Sequence, residues 1–147
     1  MARIMALDVG DKTIGVAFTD ETCTLAFPGE TILRQEGYRR DLAALRRLVS
    51  EYEVSRIVVG LPLMSDGSHG AQAGKVEAFI DRLRNSVRIP IDRQDEAYTT
   101  AGAESILDEI GRSRSQHKRT IDSVAACLIL QDYLARAIAA NAANELG

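Results

Sequence analysis

The chain has 147 residues, of which 46 % are hydrophobic and 27 % charged, with a net charge of −3. Such a composition is that of an ordinary globular domain and excludes collagen-like, disordered and membrane classes, and the length lets one domain bury roughly 68–70 % of the surface of its unfolded chain. The uncharged apolar runs are too short to span a bilayer, and "MARIMALDVG" runs straight into strand-like sequence without a small-residue cleavage site, so a cytoplasmic protein with no membrane partner is expected.

Three apolar runs come first, Ile4–Leu7, Gly15–Thr19 and Leu25–Phe27, separated by the turn-forming stretches "DVGDKT" and "DETCT". This spacing predicts an antiparallel meander. From Tyr38 the period changes: Tyr38, Leu42, Leu45, Leu48, Val49 and Tyr52 recur at helical intervals, with Arg39, Arg40, Arg46 and Arg47 on other faces. "RIVVGLP" (56–62) is a continuous β-branched run closed by Gly and Pro, as expected for a strand buried on both faces in a parallel part of a sheet. A polar loop, "MSDGSHGAQAG", precedes a second helix marked by Val76, Phe79, Ile80 and Leu83. After Pro90, "IDRQDEAYTT" starts as a strand and ends with two adjacent acids. Ile106, Leu107 and Ile110 mark a third helix, capped from Thr99 or Thr100 and stopped at Gly111. The last helix begins near Thr120, carries Val124, Ala125, Leu128, Ile129, Leu134 and Ile138, and fades into a frayed Ala/Asn tail over 139–147.

The order β-β-β-α-β-α-β-α-α predicts one α/β domain over residues 1–147. Its core is a mixed sheet of five strands, an antiparallel meander joined to parallel strands, with helices on both faces. Cys23 and Cys127 sit on apolar stretches without metal-binding spacing, and His69 and His117 are the only histidines, so a Cys/His metal centre is excluded and buried thiols are expected.

The acids are placed less predictably. Asp8 ends the first, most apolar strand, although an unpaired buried charge costs several kcal/mol, on the order given by transfer measurements. A turn aspartate capping "DVGD" is the plain explanation. Asp95 and Glu96 end a later strand, where successive side chains point to opposite faces, so that one of the two reaches any common site. Asp122 shares a helix face with Ala125, Ala126 and Ile129. With Thr120 as N-cap, Asp122 would sit in the first turn and be favoured by the helix dipole by about 0.3–1 kcal/mol. Taken together, three carboxylates from separate elements converge if the last helix crosses the strand ends. Like charges so close repel unless a cation lies between them. An all-carboxylate set suits Mg²⁺ or Mn²⁺, and a pair of such ions, roughly 3.5–4 Å apart, serves phosphodiester hydrolysis by water. Residues 111–120, "GRSRSQHKRT", carry Arg112, Arg114, Lys118 and Arg119 with no acid. That is +4 within a chain of −3, which leaves −7 on the remainder. Such a patch contacts nucleic-acid phosphates, or is simply a solvated polar loop.

Four ordered motifs, "LDVGDKTIGVA" (7–17), "VVGLPLMSDGSHGAQA" (58–73), "DEAYTT" (95–100) and "IDSVAACLILQDYL" (121–134), resemble the YqgF/RuvX family over essentially the whole chain. The resemblance implies a ribonuclease H-like fold and a metal-dependent nuclease. It favours precursor 16S ribosomal RNA as substrate, with ribosomal particles as a further partner and cleavage of DNA Holliday junctions as the alternative. It also implies that Asp8, Glu96 and Asp122 are the catalytic, metal-holding acids, with Asp95 the alternative to Glu96, and that two Mg²⁺ or Mn²⁺ ions are used. Two positions depart from the pattern: Ala97 stands where an Arg follows the Asp-Glu pair, and His69 where the family often has an acid. Two further readings remain. "DVGDKTIGVA" also resembles the phosphate hairpin of actin-like and sugar-kinase proteins, which need a second domain. The fold could also serve a non-catalytic ribosome- or nucleic-acid-binding factor. Nothing in the sequence sets the oligomeric state.

Overall fold

The computed structural model describes residues 3–64, 66–96 and 114–146, with side chains of the last helix over 123–140. Its elements are β1 (Arg3–Val9), β2 (Thr13–Thr19), β3 (Ala26–Leu33), α1 (Arg39–Glu51), β4 (Val54–Pro62), α2 (Ala71–Arg84), β5 (Ile91–Glu96) and α3 (Arg114–Leu146). The strands form one five-stranded sheet in the order β3-β2-β1-β4-β5. β1, β2 and β3 pair antiparallel, whereas β4 runs parallel to both β1 and β5. The mixed sheet expected from the pattern is therefore present.

Strand pleating divides the core in two. Met5, Leu7, Val9, Ile57, Val59 and Leu61 point to one face, where Leu45 and Leu48 of α1 and Val76, Phe79, Ile80 and Leu83 of α2 cover them. Ala6, Ala17 and Val58 point to the other, beneath Ala126, Ile129, Leu130 and Leu134 of α3. Small residues on this second face let α3 lie close to the sheet. At Gly60 of β4 an added Cβ would stand 2.5 Å from Ile129 Cδ1. The stretch Ser123–Ala140 is long and apolar enough to cross a membrane by length and composition, and here it packs on the sheet through Ala125, Ala126, Ile129 and Leu130.

Three elements differ from expectation. β3 extends to Leu33 and includes Pro28 and Gly29, residues that suggest a turn. Its place at the sheet edge leaves the missing proline N–H harmless, and the register shifts opposite Gly15 and Ala17. A Cβ on Gly29 would meet Phe18 Cε2 at 2.8 Å and the Val16 carbonyl oxygen at 3.0 Å, which reserves the position for glycine. α3 starts at Arg114 rather than near Thr120. No Gly or Pro lies between residues 112 and 120, so nothing stops the helix upstream, and Thr120 is interior rather than a cap. The helix also continues through Leu146 instead of fraying from 139, consistent with the high helix propensity of its alanines. The helix expected around Ile106, Leu107 and Ile110 lies outside the described residues. Neither Cys23 nor Cys127 is in a disulfide; Cys127 is buried, as its sequence context implied, whereas Cys23, expected buried as well, is only half-buried in the turn after β2; burial pushes the Cys127 thiol pKa up.

Candidate active site at the ends of strands β1 and β5

Asp8 is the next-to-last residue of β1, and its alternation with Leu7 and Val9 directs it to the α3 face. In register it pairs with Gly15, and Gly15 pairs with Thr31. This row runs toward α3: the Ser123 hydroxyl lies 2.8 Å from the Thr31 hydroxyl and donates to the Gly29 carbonyl at 3.0 Å. Gly15, opposite Asp8 in register, contributes no side chain to this row.

The loop after Asp8 is held from the opposite face. Gly10 N–H donates to the Thr13 carbonyl at 2.8 Å and closes the hairpin. Arg34 Nη1 donates to the Gly10 carbonyl at 2.8 Å while its Nε donates to Asp41 Oδ2 at 3.0 Å. The guanidinium also lies 5.2 Å from the centre of the Phe79 ring. The second oxygen of Asp41 accepts the Gln35 N–H at 3.1 Å. Asp41 is 1 % exposed, so this ion pair exists only because every oxygen has a donor.

At β5 the pleat resolves the Asp95/Glu96 pair. Asp92, Gln94 and Glu96 face α3, where Tyr133 Oη donates to Asp92 at 2.6 Å and Gln94 Nε2 donates to the Ile129 carbonyl at 3.0 Å. Asp95 points the other way and lies 2.8 Å from His69 Nε2, on the loop between β4 and α2. Glu96 therefore shares the α3 face with Asp8, and Asp95 does not. The residue that departs from the family pattern, His69, is the partner of Asp95.

Glu96 has further neighbours that sequence reasoning missed. Gln94, 5 % exposed, presents Nε2 to Glu96 Oε1 at 2.7 Å and to Asp132 Oδ2 at 3.2 Å. Asp132 also bonds Arg136 at 3.1 Å, one turn along α3. Burial, and then the hydrogen bond and negative charge of Asp132, push the Glu96 carboxyl up to about 7 against the pull of Gln94 and Arg136. The available signal was the polar pair Gln131–Asp132 interrupting the apolar run of the last helix, and Gln94 on the inward phase of its strand.

The register also separates the acids. Leu7 pairs with Val59, and Gly60 with Gln94, so Glu96 lies two strands across and two residues beyond the Asp8 row, about 12 Å between backbone positions. Ile129 fills the space over Gly60 between them. Among the described residues, no three acids or histidines stand close enough to hold a cation together. Asp122 lies in the third turn of α3, one turn before Ala125 and Ala126, which are fully buried against the sheet; its side chain is outside the described residues. Of the basic cluster, Arg114, Lys118 and Arg119 fall in the first turns of α3, Arg112 lies outside the described residues, and the side chains of all four are undescribed.

The sequence matches a known family. Residues 2–136 fit the family profile RuvX, described as Holliday junction resolvase. A protein of Moorella thermoacetica is 47 % identical over 134 residues, covering 91 % of this chain and 95 % of its own. One of Chloroflexus aurantiacus is 44 % identical over 144 residues, covering 97 % and 94 %. Both carry the name "Putative pre-16S rRNA nuclease". Among solved structures, Thermus thermophilus RuvC in complex with a Holliday junction substrate superposes with a TM-score of 0.55 at 11 % identity, over 92 % of this chain and 96 % of RuvC. That likeness establishes a ribonuclease H-like fold. With the profile spanning nearly the whole chain and relatives this similar over nearly their whole length, the chain belongs to the RuvX family.

Proposed function

We propose that the chain is a divalent-metal-dependent nuclease that hydrolyses phosphodiester bonds in structured nucleic acid, and that its role is maturation of the 5′ end of precursor 16S ribosomal RNA in the cytoplasm. The observation that carries this reading is Asp8. Its carboxylate stands half-buried on the α3 face near the end of the central strand, where a hard cation would be held, and relatives named for nuclease action match more than nine-tenths of the chain.

The donor set suits hard cations, since Asp8, Glu96 and Asp122 offer only carboxylate oxygens. Repulsion between Glu96 and Asp132 is of the kind a bound cation relieves. Two Mg²⁺ or Mn²⁺ ions held there would polarise the scissile phosphate and lower the pKa of an attacking water. The protein's own contributions are distinct. Asp8 is fixed by the hairpin that Arg34 braces. Glu96 is reached by Gln94 and exchanges its proton near neutral pH, so cation binding competes with protonation there. Its orientation on the α3 face favours it over Asp95, which is engaged by His69. Arg112, Arg114, Lys118 and Arg119 would carry backbone phosphates past the acids.

The test is a cleavage panel of precursor ribosomal RNA, single-stranded DNA and four-way DNA junctions with Mn²⁺, Mg²⁺ or chelator. Cleavage of the RNA, dependent on metal and lost in Asp8→Asn with the thermal transition intact, is the expected result. Metal-dependent activity retained by Asp8→Asn removes that residue from the mechanism. Cutting of junctions in preference to RNA favours the resolvase reading, for which the description of the matching family speaks.

A further inference from the structure

On the α1/α2 side of the sheet, directly behind the loop that follows Asp8, lies a cleft of about 120 Å³ lined by Gly10, Asp11, Arg34, Tyr38, Gln72 and Lys75, with Val9 and Val76 at its base. Three features of it concern charge. Arg34 is anchored through Nε and Nη1, and among the described residues its Nη2 has no hydrogen-bond partner. Lys75, in the second turn of α2, reaches Asp11 at 3.3 Å with both side chains about 60 % exposed. A pair that open contributes little, so the ammonium is readily given to another anion. Gln72 adds an amide donor from the first turn of the same helix.

We propose that this cleft is a subsite for one internal phosphodiester of the substrate strand, neighbouring the bond that is cut. Gly10 follows Asp8 by two residues, roughly 7 Å of chain at most, so a strand whose scissile phosphate lies at Asp8 passes the mouth of the cleft within about a nucleotide. The fixed guanidinium edge of Arg34 supplies planar donors suited to phosphate oxygens, while Lys75 and Gln72 close over the opposite side. Arg34 thereby couples two tasks: it braces the Asp8 loop through the Gly10 carbonyl and receives the adjacent phosphate. This subsite rests on the nuclease reading above, and deepens it by separating substrate holding from catalysis.

The experiment measures binding of fluorescein-labelled single-stranded RNA in chelator, over a series of salt concentrations, by the wild type and by Lys75→Ala, Gln72→Ala and, as a control of equal charge change, Arg84→Ala. Arg34 is left in place because its removal strands the buried Asp41. Lys75 and Gln72 are not among the proposed catalytic acids, so kcat on any cleaved substrate should stay unchanged while KM rises. The expected result is a 3- to 10-fold loss of affinity for Lys75→Ala and Gln72→Ala, on the order of one lost phosphate contact, with the Lys75→Ala salt slope smaller by about 0.7. Arg84, at the far end of α2 beside Asp81, should bind as the wild type does. Unchanged affinity in both cleft variants overturns the subsite, as does an equal loss in Arg84→Ala, which would mean net charge alone. Inorganic phosphate displacing the RNA from wild type but not from Lys75→Ala supports phosphate recognition in the cleft. Displacement by phosphate only for a 5′-phosphorylated RNA overturns the internal position in favour of a terminal phosphate. If the wild type binds no nucleic acid at all, the nuclease reading fails first, and that outcome is distinct from a wild type that binds RNA without using the cleft.

Discussion

Replacing Glu96 by Gln should change how stability depends on pH. The Glu96 carboxyl is raised from 4.5 to about 7, first by burial and then by Asp132. In metal-free protein the native state therefore keeps a proton that the unfolded chain releases near 4.5. Between those pH values the folded form binds more protons, so stability falls as pH rises through the window and stays lowered above it. At about 1.4 kcal/mol per tenfold change in proton affinity, the full shift would exceed 3 kcal/mol. Glu96 is only partly buried, and solvent screening reduces the effect to about 1–2 kcal/mol. Glu96→Gln keeps the hydrogen-bonding shape without the ionisation, so its stability should be flatter across this range and about 1–2 kcal/mol above wild type at pH 8. Urea unfolding in chelator at pH 5, 6, 7 and 8 reads the difference, in which the titrating groups remote from Glu96 and its partner Asp132 cancel. Parallel curves for the two proteins would refute the reasoning. Adding Mn²⁺ at pH 8 should stabilise the wild type and not Glu96→Gln, by about 2.7 kcal/mol at a hundredfold excess over the dissociation constant.

Other substitutions test the frame around the site. Arg34→Met leaves Asp41, 1 % exposed, without its cation, and should cost about 3–5 kcal/mol by urea unfolding; the double change Arg34→Met/Asp41→Leu should recover much of that loss. Gly60→Ala sets a methyl 2.5 Å from Ile129 Cδ1 and 3.1 Å from Cγ1, an overpacking that should cost about 1–3 kcal/mol. Combined with Ile129→Val, which removes the nearer atom, Gly60→Ala should cost clearly less than the sum of the single changes.

Much of the fold was legible because periodicity carries it. The β-branched run at 56–62 became the doubly buried β4, flanked by parallel neighbours, and the helical intervals of Leu45 and Leu48 and of Val76, Phe79, Ile80 and Leu83 mark the buried faces of α1 and α2. What stayed open or was missed depended on tertiary context. Pro28 and Gly29 signal a turn locally, yet Gly29 is needed because Phe18 and the Val16 carbonyl crowd the edge strand. Asp95 and Glu96 are equivalent in sequence, and only the register of β5 against β4 decides which faces α3. Asp132 and Gln94 escaped notice because their significance arises where a strand and a helix of distant sequence meet.

The extent of α3 bears most directly on the candidate acids. A helix that began at Thr120 would place Asp122 in its first turn, and the dipole would account for the charge. The helix begins at Arg114, which puts Asp122 in the third turn, beyond the reach of an effect that falls off within the first. Its position is one turn from Ala125 and Ala126, both fully buried on the sheet, and one residue from Ser123, whose hydroxyl bonds the strand row that contains Asp8. Helix propensity gives no reason for an aspartate there either, since Asp ranks low in helix interiors. With the helix dipole set aside as its reason, Asp122 stands on the helix turn next to the strand row of Asp8, the position from which the proposed metal site would draw it.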